Sequence, residues 1–327
     1  MNTLGLVGAL VVGAIFGYGA QRGAFCMNSG FRGAVEGDWT KLKALALAVA
    51  VQLLLLPAMF ATGLARPADL PLLPLGAVVG GLLFGLSMRW AGGCAAGVWY
   101  KLGAGDAGAL LAILGMALGA LASDSGPLVG ARLSLQQAVP HPISWRPPLL
   151  LSVAAGLFLL LVVARLAPGR AGAWTWPRTG LWIGATAALA WPASAAAGRD
   201  FGLAVVPGTT GALSAVAGHP FPAWDVLLVL GVLVGGWLAA RRSRPTTPSA
   251  PSSVALLKRF AGGLGLGIGA SIATGCTVGQ GLTGLALLAP SSFVVMAAIF
   301  GGSTAATLLS RRLESVSHPT ASSSPSH

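Results

Sequence analysis

Charge is scarce in this chain: 9% of its 327 residues are Asp, Glu, Lys or Arg, where an ordinary soluble domain carries about a quarter. An ordinary water-soluble globular protein is thereby excluded. Carboxylates are the rarer sign, 8 against 20 Lys and Arg. Asp106, Asp124, Asp200 and Asp225 stand near the ends of apolar runs, so no carboxylate relay through a membrane is evident. Histidine is nearly missing. His141 and His219 sit beside prolines in connections, and His318 and His327 lie in the polar tail; no spacing of metal-ligand type results, and neither metal nor cofactor is expected. The three cysteines are an odd number outside exported loops, which argues against a disulfide framework. No Gly-x-x-x-x-Gly-Lys-Ser/Thr loop occurs, which excludes nucleotide-driven work. Met1–Ala20 has no basic leader, its first charge being Arg22, and reads as a first span rather than a cleaved signal.

What fills the chain is apolar. Hydrophobic residues make up 55% and glycine occupies 48 positions, with a mean hydropathy of +0.79. Apolar runs of membrane-crossing length recur, and no soluble domain is left over. Nine spans are expected: Thr3–Ala20, Leu42–Leu64, Leu75–Leu102 with a break, Ala107–Ser123, Leu149–Leu166, Thr179–Ala197, Trp224–Ala240, Phe260–Ala289 with a break, and Ser291–Ser310. The fold class is an all-α polytopic membrane protein. Its net charge of +12 orients it rather than marking a nucleic-acid binder, because the basic residues gather in a few connections. These are Arg22, Arg32, Lys41 and Lys43; Arg165, Arg170 and Arg178; Arg241, Arg242, Arg244, Lys258 and Arg259; and Arg311 with Arg312. By the positive-inside rule they face the cytoplasm, with the N-terminus outside and the C-terminus inside.

Four Gly-rich polar stretches interrupt this pattern. Gly275-Cys276-Thr277-Val278-Gly279-Gln280-Gly281-Leu282-Thr283-Gly284 sits within an apolar context, where irregular polar backbone survives only if protein covers it or it lines a cavity. Gly93-Cys94-Ala95-Ala96-Gly97 repeats its Gly-Cys-x-x-Gly pattern, and two further stretches, Gln21–Phe31 and Gly198–Gly211, follow the first span of each half. Short re-entrant or broken helices meeting at the midplane are expected there, arranged in two inverted repeats. Residues 1–123 form the first half; 124–178 an external loop, a connecting span and a cytoplasmic loop; 179–312 the second half; and 313–327 a disordered polar tail. Ser243–Ser253 reads as a cytoplasmic Ser/Pro linker. The plainer reading of the glycines, close packing between helices, stands beside this one.

All three thiols, Cys26, Cys94 and Cys276, fall in these breaks. A buried Cys is ordinarily a small hydrophobe, and zinc ligation lacks partner ligands in the same stretches. A thiol also offers a weak donor and a polarisable sulphur, which along a pore suit a large, soft, sulphur-bearing anion.

Gln21-Arg22-x-x-Phe25-Cys26, Gly92-Gly93-Cys94-Ala95-Ala96-Gly97-Val98-Trp99-Tyr100 and the Gly275–Gly284 stretch, in this order, resemble the YeeE/YedE family of sulphur transport proteins, and the resemblance covers the whole chain. It implies thiosulfate uptake across the bacterial inner membrane, through an hourglass-shaped protein whose cysteines pass the ion along a constricted centre. It also implies a small cytoplasmic sulphur-carrier protein of the TusA type as partner. Some relatives are associated with selenium, so another sulphur or selenium species is the alternative substrate. Arg199-Asp200 departs from the Cys-containing breaks.

Along such a path an anion needs fixed positive dipoles, because leaving water costs several kcal/mol or more; helix N-termini supply them. Cys26, Cys94 and Cys276 are the expected pathway residues, with Gly93, Gly97, Gly275, Gly279 and Gly281 admitting the ion to the backbone. Gln280, Thr277, Thr283, Asn28 and Ser29 are candidate donors to its oxygens. Arg22 and Arg199 would draw it in from opposite faces, or anchor the chain at the interface. Trp99 and Tyr100 would close a cytoplasmic vestibule, or serve as belt aromatics. A membrane-embedded sulphur-transfer enzyme working through a persulfide is the rival reading; the lack of His in the breaks counts against it.

Overall fold

The computed structural model describes residues 3–138, 147–167, 169–216, 218, 220–242 and 252–317. Most of them are helical. The chain begins with α1 (Thr3–Arg22), α2 (Met27–Val35), α3 (Thr40–Ala61), α4 (Pro74–Ala91), α5 (Ala95–Gly103) and α6 (Gly108–Asp124). The short α7 (Val129–Gln136) and the apolar α8 (Leu149–Ala164) follow, then a two-stranded hairpin, β1 (Arg170–Ala171) and β2 (Trp174–Thr175). The remainder is α9 (Trp176–Ala196), α10 (Val206–Val216), α11 (Ala223–Arg241), α12 (Ser253–Ile272), a π-helical turn over Gly279–Gly284 running into a 3₁₀ turn over Leu285–Leu287, and α13 (Pro290–Ser317).

Among the described residues five stretches are long and apolar enough to cross a membrane: Gly5–Val35, Thr40–Ala61, Pro74–Gly103, Ala223–Arg241 and Pro290–Arg312. A sixth is added if α6 and α7, bent by 71° at their junction, count together. The chain is thus a polytopic, mostly helical membrane protein. α8 has only 16 residues. α9 and α12 are 21 and 20 residues long, but Arg178 and Pro192 in the one, and Lys258, Arg259 and repeated glycine in the other, dilute their apolarity.

The sequence reading treated residues 124–148 as loop, yet α7 forms within it. Arg132 ties α7 down by donating to the Ser123 carbonyl at 2.9 Å, and Gln136 donates to the Ser271 and Ile272 carbonyls at 3.0 Å each. α13 runs on to Ser317, beyond the point where the polar tail was expected. His141, His219, His318, His327 and residues 243–251 of the expected linker lie outside the described residues.

Small residues set the packing. Gly13 and Gly17 of α1 meet Gly231 and Gly235 of α11, each so close to the facing backbone that an added methyl would collide with a carbonyl. Gly115 and Gly119 of α6 meet Gly263 and Gly267 of α12 in the same way, and Gly180 and Gly184 of α9 lie against Ala44 and Ala48 of α3. Four-residue spacing of small side chains lets membrane helices approach closely and gain dispersion contacts that lipid cannot offer better. The resulting pairs are α1 on α11, α3 on α9, α6 on α12 and α4 on α13, with α4 also against α12 and α1 against α9. The short α2 packs on α3 and α13, while α10 packs on α11 and α6. Most helical glycines are therefore packing residues.

Candidate functional site

Three of the breaks are built alike. α1 and α12 end in the wrap-around hydrogen bond of a left-handed C-terminus: the Phe25 amide donates to the Ala20 carbonyl, and the Gly275 amide to the Ala270 carbonyl, both at 2.8 Å. The residue that turns the chain has positive φ in each break: Ala24 (47°), Gly92 (77°) and Thr274 (55°). Each stands two positions before a cysteine. For Ala, and more so for β-branched Thr, this conformation costs of order 1–3 kcal/mol and persists only where the surroundings over-determine it. Immediately afterwards the chain re-enters helix. The carbonyls of Cys26, Cys94 and Cys276 accept the first turn's bonds, from Gly30 at 2.9 Å, Val98 at 3.1 Å and Gln280 at 2.8 Å. Each thiol thus stands at the N-terminus of a short helical segment, where free amides and the aligned peptide dipoles favour negative charge.

Two of these N-termini meet. Cys26 caps α2 and Cys94 caps α5, both with extended backbone, and their sulphur atoms lie 3.9 Å apart although 68 residues separate them. Both residues are 3% exposed, so the pair is sealed from bulk water. The Cys94 sulphur lies near the amides of Met27 and Gly97, and the Cys26 sulphur near those of Ser29 and Cys94. Gly97 makes the approach possible: a methyl there would fall 2.9 Å from the Cys26 sulphur and 3.4 Å from that of Cys94. The Tyr100 hydroxyl reaches the Cys26 thiol, and its ring is buried. The Ser29 hydroxyl donates to the Cys26 carbonyl at 3.1 Å; Asn28 precedes it on the same first turn, half-buried. Gly93, just ahead of Cys94, packs against the α5 backbone at Gly97 and Val98.

The third break carries Cys276, 1% exposed, into the π-helical turn. A π turn displaces backbone partners, and two of the expected donors are used to hold it. Gln280 donates its amide to the Thr274 carbonyl at 3.1 Å and accepts from the Ser292 hydroxyl at 2.6 Å; Thr283 donates to the Leu203 carbonyl at 2.8 Å. Thr277 differs. Its hydroxyl is buried and has no hydrogen-bond partner among the described residues. Gly275 is covered by the Gln280 side chain and Gly281 by Met296, whereas a methyl on buried Gly279 would meet nothing within 4 Å. An unsatisfied hydroxyl and unfilled space therefore occur two residues apart in the same turn.

The remaining candidates separate. Arg199 pairs with Asp225 of α11 at 2.9 Å, both side chains largely buried, and donates to the Phe201 and Gly202 carbonyls. It fastens the fourth break to α11. Trp99 donates to the Thr209 hydroxyl at 2.8 Å, joining α5 to α10. The Arg22 carbonyl accepts from Ala173, which docks the β1–β2 hairpin on the end of α1. Sequence reading passed over Gln52, buried in α3 and donating to the Leu282 carbonyl at 3.3 Å, and over Lys41 and Lys101. The signal was available: polar or charged residues inside or at the edge of apolar runs. Among the described residues no cluster of His, Cys, Asp and Glu could hold a metal ion.

Residues 22–305 match the family described as Sulphur transport. The chain is 34% identical over 310 residues to a thiosulfate transporter, TsuA, of Escherichia coli (strain K12), covering 86% of this chain and 88% of that one. It is 33% identical over 330 residues to the thiosulfate transporter TsuA of Spirochaeta thermophila, covering 93% and 98%. All three cysteines, each at a helix N-terminus, fall within the matched region, and the chain belongs to the sulphur transport family.

Proposed function

We propose that the protein takes up thiosulfate across the bacterial inner membrane by passing it along Cys26, Cys94 and Cys276 through hydrogen bonds. The observation that carries this reading is the repeated cap: a left-handed residue, one spacer, then a buried thiol over a helix N-terminus, three times in one chain. Packing alone has no need of thiols at these positions. Each station combines oriented amides, which favour anion oxygens, with a weak S–H donor and soft surface for the terminal sulphur. Sites that are individually weak and in series let an ion leave as readily as it enters. Thr277, beside the space at Gly279, is the donor we assign to the Cys276 station. The names of the two TsuA relatives support the substrate.

The architecture we infer is nine spans in two inverted repeats, residues 1–123 and 179–312, with α8 between them. Supporting this, the packing pairs have mates under the exchange of α1 with α9, α2 with α10, α3 with α11, α4 with α12 and α6 with α13. The basic connections favour a periplasmic N-terminus and a cytoplasmic C-terminus. A small TusA-like carrier as cytoplasmic acceptor rests on the family resemblance alone. The experiment is uptake of radiolabelled thiosulfate by purified protein in liposomes, with sulfate, selenate and unlabelled thiosulfate as competitors. Saturable uptake displaced by thiosulfate supports the reading, and uptake absent in the intact protein removes it.

A further inference from the structure

Lys41 and Lys101 flank the thiol pair, and sequence reading gave them no role there. Lys41, in the first turn of α3, donates to the Ser29 hydroxyl at 2.8 Å, and that hydroxyl is bonded to the Cys26 carbonyl. Lys101, in the last turn of α5, donates to the Gly92 carbonyl at 2.5 Å, two residues before Cys94. Both side chains are half-buried. Both ammonium groups lie within electrostatic reach of Cys26, and they are within reach of one another.

What they lack is a direct ion-pair partner, although Asp38 attracts Lys41 from a distance. Elsewhere Arg199 has Asp225, Arg259 has Asp106, Arg132 has Asp124 and Arg311 has Glu36. Among the described residues no carboxylate stands within ion-pair distance of Lys41 or Lys101. Asp38 is the acid within reach of Lys41, and one of its oxygens is taken by the Thr40 amide at 3.0 Å; Arg32 adds a further positive charge nearby. Two like charges half-removed from water, beside two helix N-termini, repel each other unless an anion joins them. A protein could relieve this with one Asp. This one holds thiols there instead.

We propose that Lys41 and Lys101 make the Cys26–Cys94 station selective for a doubly charged anion, each ammonium balancing one of its charges. The inference rests on the transport reading for the identity of the ion, and extends it by naming the residues that count its charge. A point charge on a flexible stem suits the purpose, since it can follow a moving ion.

The test compares thiosulfate with methanethiosulfonate, which keeps the terminal sulphur but replaces one charged oxygen by a methyl and so carries a single charge. Equilibrium binding of radiolabelled thiosulfate to the purified full-length protein, and its displacement by methanethiosulfonate, is measured for the unmodified chain and for Lys41→Gln, Lys101→Gln and the corresponding Arg variants. Lys43→Gln is the positional control. Each Gln variant is expected to bind thiosulfate at least about tenfold more weakly while methanethiosulfonate changes less than about threefold, with Arg restoring most of the difference because the charge returns. Gln variants that bind both anions as the unmodified protein does overturn the proposal. So does parallel loss of both anions without rescue by Arg, which marks the lysines as structural. If the unmodified protein binds sulfate but not thiosulfate, with the same dependence on the two lysines, the thiosulfate reading fails while the dianion station stands. If it binds neither, both fall.

Discussion

The sulphur atoms of Cys26 and Cys94 lie 3.9 Å apart, each at the N-terminus of its own short helix. On the proposed pathway an ion at one is in reach of the other, so the two thiols would form one station and Cys276, just ahead of the π turn, a separate one. Replacing Cys26 should therefore be as damaging as replacing Cys94, and their double replacement should be less than additive, as for residues that share a partner. Uptake rates of the two Ser variants and the double variant measure this; full additivity of the losses would place the thiols in different steps.

Gly97 tests the closeness of that station. Ala at this position puts a methyl 2.9 Å from the Cys26 sulphur, while its helix context gains propensity of about 1 kcal/mol. The overlap costs about 1–3 kcal/mol against that gain, so Gly97→Ala should lose up to about 2 kcal/mol of stability in detergent and still insert, while thiosulfate uptake should fall by roughly 5- to 30-fold, equivalent to about 1 to 2 kcal/mol at the barrier. Unchanged uptake would show that the sulphurs need not approach.

Thr277 and Thr283 make a matched pair. Removing the Thr283 hydroxyl strands the buried Leu203 carbonyl, so Thr283→Val should cost about 1–3 kcal/mol of stability. The Thr277 hydroxyl has no partner to strand. Thr277→Val should leave stability within about 0.5 kcal/mol, or improve it, yet weaken thiosulfate binding. Melting curves with and without thiosulfate distinguish the two, and equal behaviour would contradict the assignment of Thr277 to the path.

Arg199 should prove structural. Removing either partner of its buried pair with Asp225 leaves an uncompensated charge, at a cost of about 3–5 kcal/mol. Arg199→Ala and Asp225→Ala should each reduce membrane abundance, and the double variant should recover part of it. A well-inserted Arg199→Ala with impaired thiosulfate affinity would return Arg199 to the substrate path.

The helices were largely legible because apolar runs report burial in lipid or protein locally, residue by residue. Boundaries moved by a few residues at capped ends such as Arg22 and Ala61. The breaks were legible as glycine, thiol and hydroxyl clusters, and the cysteines among them as one chemical set. Three things were not. The meeting of Cys26 with Cys94 depends on how α2 and α5 converge, which no periodicity encodes. The use of Gln280 and Thr283 as internal clamps depends on the fold bringing the Thr274 and Leu203 carbonyls beside them, a geometry invisible in the residue types. α7 was missed because Val129–Gln136 is short and mixed in polarity, and its helix is held by Arg132 and Gln136 reaching to neighbours.

The central claim is that the three thiols carry the ion without becoming covalently modified. Its most direct measurement is labelled thiosulfate uptake by Ala and Ser variants of Cys26, Cys94 and Cys276 at matched membrane abundance, with the thiols followed by mass spectrometry. Loss of one weak contact should slow passage roughly 5- to 30-fold in each Ala variant, with Ser retaining more than Ala because it still donates a hydrogen bond, and no persulfide accumulating. Uptake at the unmodified rate by a properly inserted Cys94→Ala plus Cys276→Ala protein would contradict the relay, and a persulfide required for turnover would replace it with sulphur transfer.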